Sequence, residues 1–135
     1  MRSSRAVHPL RVIAGAVVDG GRLLLVSKRA APDVFFLPGG KPEPGEAPLA
    51  CLARELREEL GVRLTAAERF GDVRATAALE GVEMRMTVFL VRLAGVPAPA
   101  SEIAVLRWWP TEPAGRLAPA VRDHVIPRLG RAGRL

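Results

Sequence analysis

Apolar positions along the chain follow two spacings. Residues 10–18 form a valine- and isoleucine-rich run long enough for a buried strand, and Asp19-Gly20-Gly21 supplies a tight turn into a second run at 22–28. That pairing predicts a hairpin. Residues 29–33, with Pro32, read as a loop and 34–37 as a short strand. Pro38-Gly39-Gly40 stops that strand and opens a Pro- and Gly-rich loop through Gly45. The spacing then turns helical: Leu49, Leu52, Leu56 and Leu60 recur behind Pro48, which suits a first turn, until Gly61 ends the pattern. Beyond it, strands are predicted over 64–73, 74–80 and 82–92, with Gly81 as a turn or bulge, then a loop at 93–101 and a strand at 103–109 stopped by Pro110. Residues 119–129 read as a terminal helix that Pro127 should kink or end early. Helices among hairpin-connected strands imply a mixed α/β domain whose strand order the pattern does not fix. Residues 1–9 are expected to form a loose arm, 10–129 the domain and 130–135 a tail.

Composition narrows the classes. A chain of 135 residues that is 49% hydrophobic and 25% charged is sized for one domain with a real core. One cysteine, Cys51, makes no internal disulfide, so a reducing, cytoplasmic setting is expected. The uncharged run at 12–18 falls well short of the roughly 20 residues of a membrane span, and His8, Pro9 and Arg11 interrupt any signal-peptide core behind the basic start. No membrane association is expected. Net charge is +6, almost all from arginine, Lys28 and Lys41 being the two lysines. Such a balance suits polyphosphate or nucleic acid, although no aromatics interleave with the cations to stack bases. Against that background, Glu43, Glu46, Glu55, Glu58 and Glu59 gather half of the ten glutamates within 17 residues. An acidic island on a basic chain suggests bound cations.

Glu55, Glu58 and Glu59 stand at i, i+3 and i+4, so their carboxylates share one side of the helix. A solvated, salt-bridged face is the competing account, supported by Arg54 four residues before Glu58. Like-charged neighbours on a helix are nevertheless unfavourable by about 0.2–0.5 kcal/mol per pair, a sign that a hard cation reverses. Oxygen donors without a His or Cys cluster suit Mg²⁺, which bridges carboxylates to substrate phosphates. The Gly39-Gly40 loop lets a main-chain carbonyl approach the same region.

The full spacing is more specific. Gly40, five residues, Glu46, seven residues, then Arg54-Glu55-Leu56-Arg57-Glu58-Glu59-Leu60-Gly61-Val62 matches every fixed position of the Nudix box, Gly-x5-Glu-x7-Arg-Glu-U-x-Glu-Glu-x-Gly-U, where U is a bulky aliphatic residue. The chain thus resembles Nudix hydrolases, in particular MutT-like ones. That resemblance implies an α/β/α sandwich, a mixed sheet flanked by helices, and cleavage of a nucleoside diphosphate linked to a group X by water attacking phosphorus with Mg²⁺ or Mn²⁺. It implies that Glu55, Glu58 and Glu59 hold metal with the carbonyl of Gly40. Arg54 would orient the glutamates, while Glu46 would support the loop or a further metal and Gly39 the loop. The general base would be a box glutamate, Glu58 or Glu59, or one on a distal loop, for which Glu102 is the candidate ahead of Glu80 and Glu83. Family members often dimerise, so a homodimer is an open expectation.

For substrate, Lys28 and Arg29 at a strand end and Lys41 in the box loop are candidate phosphate cations. Phe35 and Phe36 point to opposite sides of their strand, one to the core and one toward a pocket. By the same alternation Trp108 is assigned to the core and Trp109 to base stacking. His8 and His124 are read as surface residues and Cys51 as helix packing. The chain has no Asn, Gln or Tyr, so no side-chain amide can read a purine edge. A nucleoside di- or triphosphate is the expected substrate. A nucleotide sugar, ADP-ribose, an RNA 5′ end, or nucleotide sensing without catalysis are the alternatives.

Overall fold

A computed structural model describes residues 9–135; residues 1–8 of the expected arm, with His8, lie outside the described residues. The strands are β1 (Leu10–Ala16), β2 (Val18–Asp19), β3 (Arg22–Lys28), β4 (Ala31–Phe36), β5 (Gly39–Gly40), β6 (Arg63–Thr76), β7 (Glu83–Ala94), β8 (Ile103–Trp109) and β9 (Arg116–Leu117). Helix α1 (Pro48–Leu60) follows β5, and a π-helical turn (Val121–Val125) runs into α2 (Ile126–Arg131) near the end of the chain. One sheet has the order β5-β1-β7-β6, with β1 and β7 parallel and its other pairs antiparallel. In the second sheet β3 is the hub, pairing β2, β4 and β8 antiparallel, while β9 joins β4 in parallel.

Strand alternation explains the layers. Leu23 and Leu25 of β3 enter one core cluster with Val121, Val125 and Leu129, whereas Leu24 and Val26 enter another with Leu52, Leu56 and Leu60 of α1. β1 divides likewise, Ala14 to the first cluster and Ile13 to the second. Sheets buried on both faces read as continuous apolar runs, which is why the strand signal at 22–28 lacks a polar alternation. The result is the expected mixed sheet between helices. Among the described residues no helix is long and apolar enough to cross a membrane.

Several boundaries differ from expectation. Residues 10–18 are not one strand in a hairpin with 22–28: the strand breaks at Val17, β1 pairs with β5 and β7, and of that run only the short β2 pairs with β3. Residues 74–80 are not a separate strand: β6 runs unbroken to Thr76, absorbing Gly71 (φ 156°) at a register shift against β7. The turn follows, with the Ala77 N–H donating to the Val82 carbonyl at 2.8 Å and Gly81 at φ 70°. β4 begins at Ala31 inside the predicted loop because Ala31 pairs with Lys28. Pro127 does not end the last helix. It has no N–H for a carbonyl four residues back, and the preceding turn widens, the Ile126 N–H reaching the Val121 carbonyl instead. The helix then continues to Arg131, and Leu135 packs against the core.

Candidate active site

Four leucine and cysteine anchors set the rotation of α1: Cys51, Leu52, Leu56 and Leu60 are at most 1% exposed. Gly61 closes the helix in the left-handed region (φ 67°), its N–H donating to the Arg57 carbonyl. With those residues inward, Glu55 and Glu59 turn toward β5 and Glu58 toward solvent. Arg54 ties the acidic side together. Its Nε and Nη2 bond both oxygens of Glu46 at 2.8 and 2.9 Å, Nη1 reaches Glu58 at 2.9 Å and Glu55 at 3.3 Å, and Nη2 meets the Lys41 carbonyl at 3.3 Å. Glu43 adds a contact to Nε at 3.2 Å. The paired guanidinium bonds hold the Glu46 carboxyl down to about 2 and push Arg54 above its already high value. Glu46 also accepts the Glu43 N–H at 2.9 Å, so it pins the loop before the helix.

Glu59 has a different environment. It is 3% exposed and accepts a single hydrogen bond, from the Gly39 N–H at 3.0 Å. Burial pushes its carboxyl up to about 8, with the Glu55 charge adding to the shift and the Gly39 bond opposing it. Burial also raises Glu55. Gly39 and Gly40 are required by space: a Cβ on Gly39 would strike the Ile13 carbonyl, and one on Gly40 would occupy the volume of the Glu55 carboxylate. Cys51 is fully buried, its Sγ 3.7 Å from the Gly40 carbonyl, and burial pushes the thiol up to about 11.

These groups open on a cleft of about 320 Å³ lined by Glu55, Glu59, Glu102, Gly39, Gly40, Lys28, Lys41 and Phe36. Lys28 lies 3.5 Å from Glu102 and 5.7 Å from the centre of the Phe36 ring, while Phe35 is core. The loop carrying Glu102 is fastened by main-chain bonds: Ala98 and Ala100 N–H donate to the Leu60 and Glu59 carbonyls, and the Arg29 N–H donates to the Glu102 carbonyl. Glu58 is not part of the lining but stands at the rim, joined through Arg54.

Other candidates are placed elsewhere. Arg29 is exposed and outside the cleft lining. Trp109 does not stack there either: β8 pairs Ile103 with Lys28 but Trp109 with Leu23, so six residues, about 20 Å at strand spacing, separate it from the Glu102 end. It packs half-buried against one core cluster, and Trp108 packs half-buried against the other rather than entering a core fully. Trp108 also borders a larger open groove of about 780 Å³ with Asp19 and Arg134, a groove containing none of the box glutamates. Glu80 lines the cleft, whereas Glu83 pairs with Arg74 at 3.3 Å. The apolar half of the cleft, Leu10, Val12, Met84, Met86, Ala118 and Val121, was not anticipated. Its signal is the alternation in β1 and β7, legible once their parallel pairing is known.

Among the described residues, no three His, Cys, Asp or Glu side chains already enclose a cation position. The donor chemistry still fits a hard divalent ion. Glu55, Glu59 and Glu102 offer oxygen alone in one cleft, and Glu59 is buried without a cationic partner. Gly40 leaves room for Glu55 beside its backbone.

The model of the family described as NUDIX domain matches residues 9–129. A Mycobacterium tuberculosis protein provisionally named 8-oxo-dGTP diphosphatase 2 is 37% identical over 103 residues, 72% of this chain and 70% of that one. A MutT-like protein of Streptomyces ambofaciens is 31% identical across 97% of this chain and 83% of its own. Among solved structures, a MutT NUDIX hydrolase from Burkholderia pseudomallei superposes with a TM-score of 0.74 at 29% identity, covering 86% of this chain and 95% of that one. With the complete box at the cleft and the family model spanning nearly the whole chain, this protein belongs to the Nudix hydrolase family.

Proposed function

We propose that the chain is a divalent-metal-dependent pyrophosphohydrolase that cleaves nucleoside di- or triphosphates to the monophosphate and phosphate or pyrophosphate. The observation that carries this reading is Glu59, a carboxylate 3% exposed in a cleft whose other acidic groups are Glu55, Glu80 and Glu102. Without a cation such a group is costly to ionise. Glu55, Glu58, Glu59 and the Gly40 carbonyl would hold Mg²⁺ or Mn²⁺. When bound, the ion supplies charge neutralisation of the pyrophosphate and a more acidic water.

The chain's own residues do the remainder. Arg54 keeps Glu55 and Glu58 oriented through its forked contacts. Lys28 and Lys41 balance phosphate charge, and Phe36 borders the phosphate end. Glu102 takes the proton of the attacking water as its oxygen bonds to phosphorus and the bridging P–O bond breaks, the leaving phosphate departing with the bond electrons. The base rests in the apolar half, between Val12, Met84 and Met86, where main-chain groups and shape select it. The relative named for 8-oxo-dGTP supports a nucleoside triphosphate. The test is a panel of nucleoside di- and triphosphates, 8-oxo-dGTP, ADP-ribose and nucleotide sugars with Mg²⁺ or Mn²⁺, comparing wild type with Glu59→Gln by product chromatography. Metal-dependent cleavage lost in the variant is expected; a wild type that cleaves nothing on the panel refutes the reading.

A further inference from the structure

Three cations border the box, and their bonding differs. Arg54 is held by four carboxylates and a carbonyl, so it cannot swing to a ligand without abandoning the glutamates. Lys41 has no carboxylate within ion-pair distance among the described residues and is already free for phosphate. Lys28 lies between these cases. It has one carboxylate partner, Glu102 at 3.5 Å, and the two side chains are 30% and 60% exposed. Its ammonium also lies 5.7 Å from the Phe36 ring centre, a contact that keeps the side chain directed into the cleft.

The backbone beneath this pair is fixed. A register shift at Ser27/Lys28 sets Lys28 opposite Ile103, and the Arg29 N–H holds the Glu102 carbonyl at 2.9 Å. Ser101, at φ 56°, makes the turn that presents Glu102, and Ala100 is bonded to Glu59 itself. The main chain on both sides of the pair is thus hydrogen-bonded, and separating Lys28 from Glu102 requires movement of the two side chains alone. A partly hydrated ion pair is weak enough to be exchanged, and a diphosphate offers the ammonium more negative charge than one carboxylate does.

We propose that Lys28 is an exchangeable counter-ion: it neutralises Glu102 in the free protein and transfers to the substrate's phosphate, which uncovers the Glu102 carboxylate when the attacking water is in place. Lys28 is thus a positioning residue for Glu102 as well as a phosphate contact. The inference rests on the pyrophosphate-cleaving reading of this cleft. It makes Glu102 and phosphate competitors for one cation.

That competition can be measured on the full chain by titration calorimetry with imidodiphosphate, a pyrophosphate analogue that resists hydrolysis, in Mg²⁺. Glu102→Gln should tighten binding about two- to fivefold, the scale of an exposed ion pair. Lys28→Met should weaken binding, and adding Glu102→Gln in that background should bring no gain. Lys28→Arg should restore the gain. In a Lys41→Met background the gain should persist, because Lys41 has no share in the pair. A gain from Glu102→Gln that survives in Lys28→Met overturns the exchange, since it would be a bulk charge effect; so does no gain in the wild-type background. Wild type that binds no imidodiphosphate with Mg²⁺ overturns the exchange and the underlying reading together, whereas binding without the Lys28-dependent gain overturns the exchange alone.

Discussion

Replacing Glu59 with glutamine should stabilise the metal-free protein, and by an amount that depends on pH. The carboxyl is pushed up to about 8 from an ordinary 4.5, and one pKa unit corresponds to 1.36 kcal/mol. Between those two values the folded state keeps a proton that the unfolded chain releases. Stability therefore falls as pH rises through this window. Integrated across it, ionised Glu59 costs the metal-free protein about 4 kcal/mol by pH 8 to 9. Glutamine has nearly the same shape, retains an acceptor for the Gly39 N–H at 3.0 Å, and never ionises. Wild type and Glu59→Gln should accordingly unfold at similar denaturant concentrations near pH 5 in EDTA, and the variant should gain steadily on wild type toward pH 8. A domain of this size converts that difference into about 15 °C in Tm. Saturating Mg²⁺ should then raise the wild type and leave the variant nearly unmoved. The measurement is urea and thermal unfolding at four pH values, with EDTA and with Mg²⁺. Curves for the two proteins that run parallel across pH would refute the reasoning, because they would mean that burial does not disfavour the Glu59 charge.

Three further outcomes are expected. Gly40→Ala would push the Glu55 carboxylate out of its place, so kcat/KM should fall about 100-fold in a steady-state assay while the unfolding midpoint changes little. Arg54→Lys keeps one charge but loses the fork that bonds both oxygens of Glu46 and reaches Glu58 and Glu55. Its kcat/KM should drop about 10- to 100-fold, and an unchanged value would show that Arg54 does not position the glutamates. Ser27 is fully buried and its hydroxyl has no hydrogen-bond partner, so Ser27→Ala should be neutral or stabilising by about 1 kcal/mol in urea unfolding. A loss of that size would reveal a partner for the hydroxyl.

Local chemistry was the part of the molecule written openly in the sequence. α1 is announced by leucines at 3.6 spacing and by Gly61, because a helix is made of contacts between near neighbours. The box glutamates follow from it, since fixing the inward leucines fixes where Glu55 and Glu59 point. The parallel pairing of β1 with β7 joins Leu10 to Met84 across more than 70 residues, and no local pattern encodes such a contact. The apolar half of the cleft stayed hidden for that reason. The tryptophans show the same limit from another side. Alternation correctly sent Trp108 and Trp109 to opposite faces, but the register of β8 against β3 placed both at the wrong end of the strand for the cleft. The boundary expected between 73 and 74 is a third case: β6 continues across it to Thr76 because its pairing with β7 runs on from Asp72–Thr87 to Thr76–Glu83, a register no local pattern encodes.

The loop from Gly95 to Glu102 has two attachments that cannot be varied independently. Its Ala98 and Ala100 N–H groups satisfy the last carbonyls of α1, and two residues later it delivers Glu102. Surface loops ordinarily accept insertions and deletions. Here a change of one residue would uncap the helix and shift the carboxylate in a single event, so drift in this segment should be confined to side chains such as exposed Val96, with its length held constant. A selection for stability alone, with no demand for activity, would then preserve the spacing between Glu59 and Glu102 as a by-product.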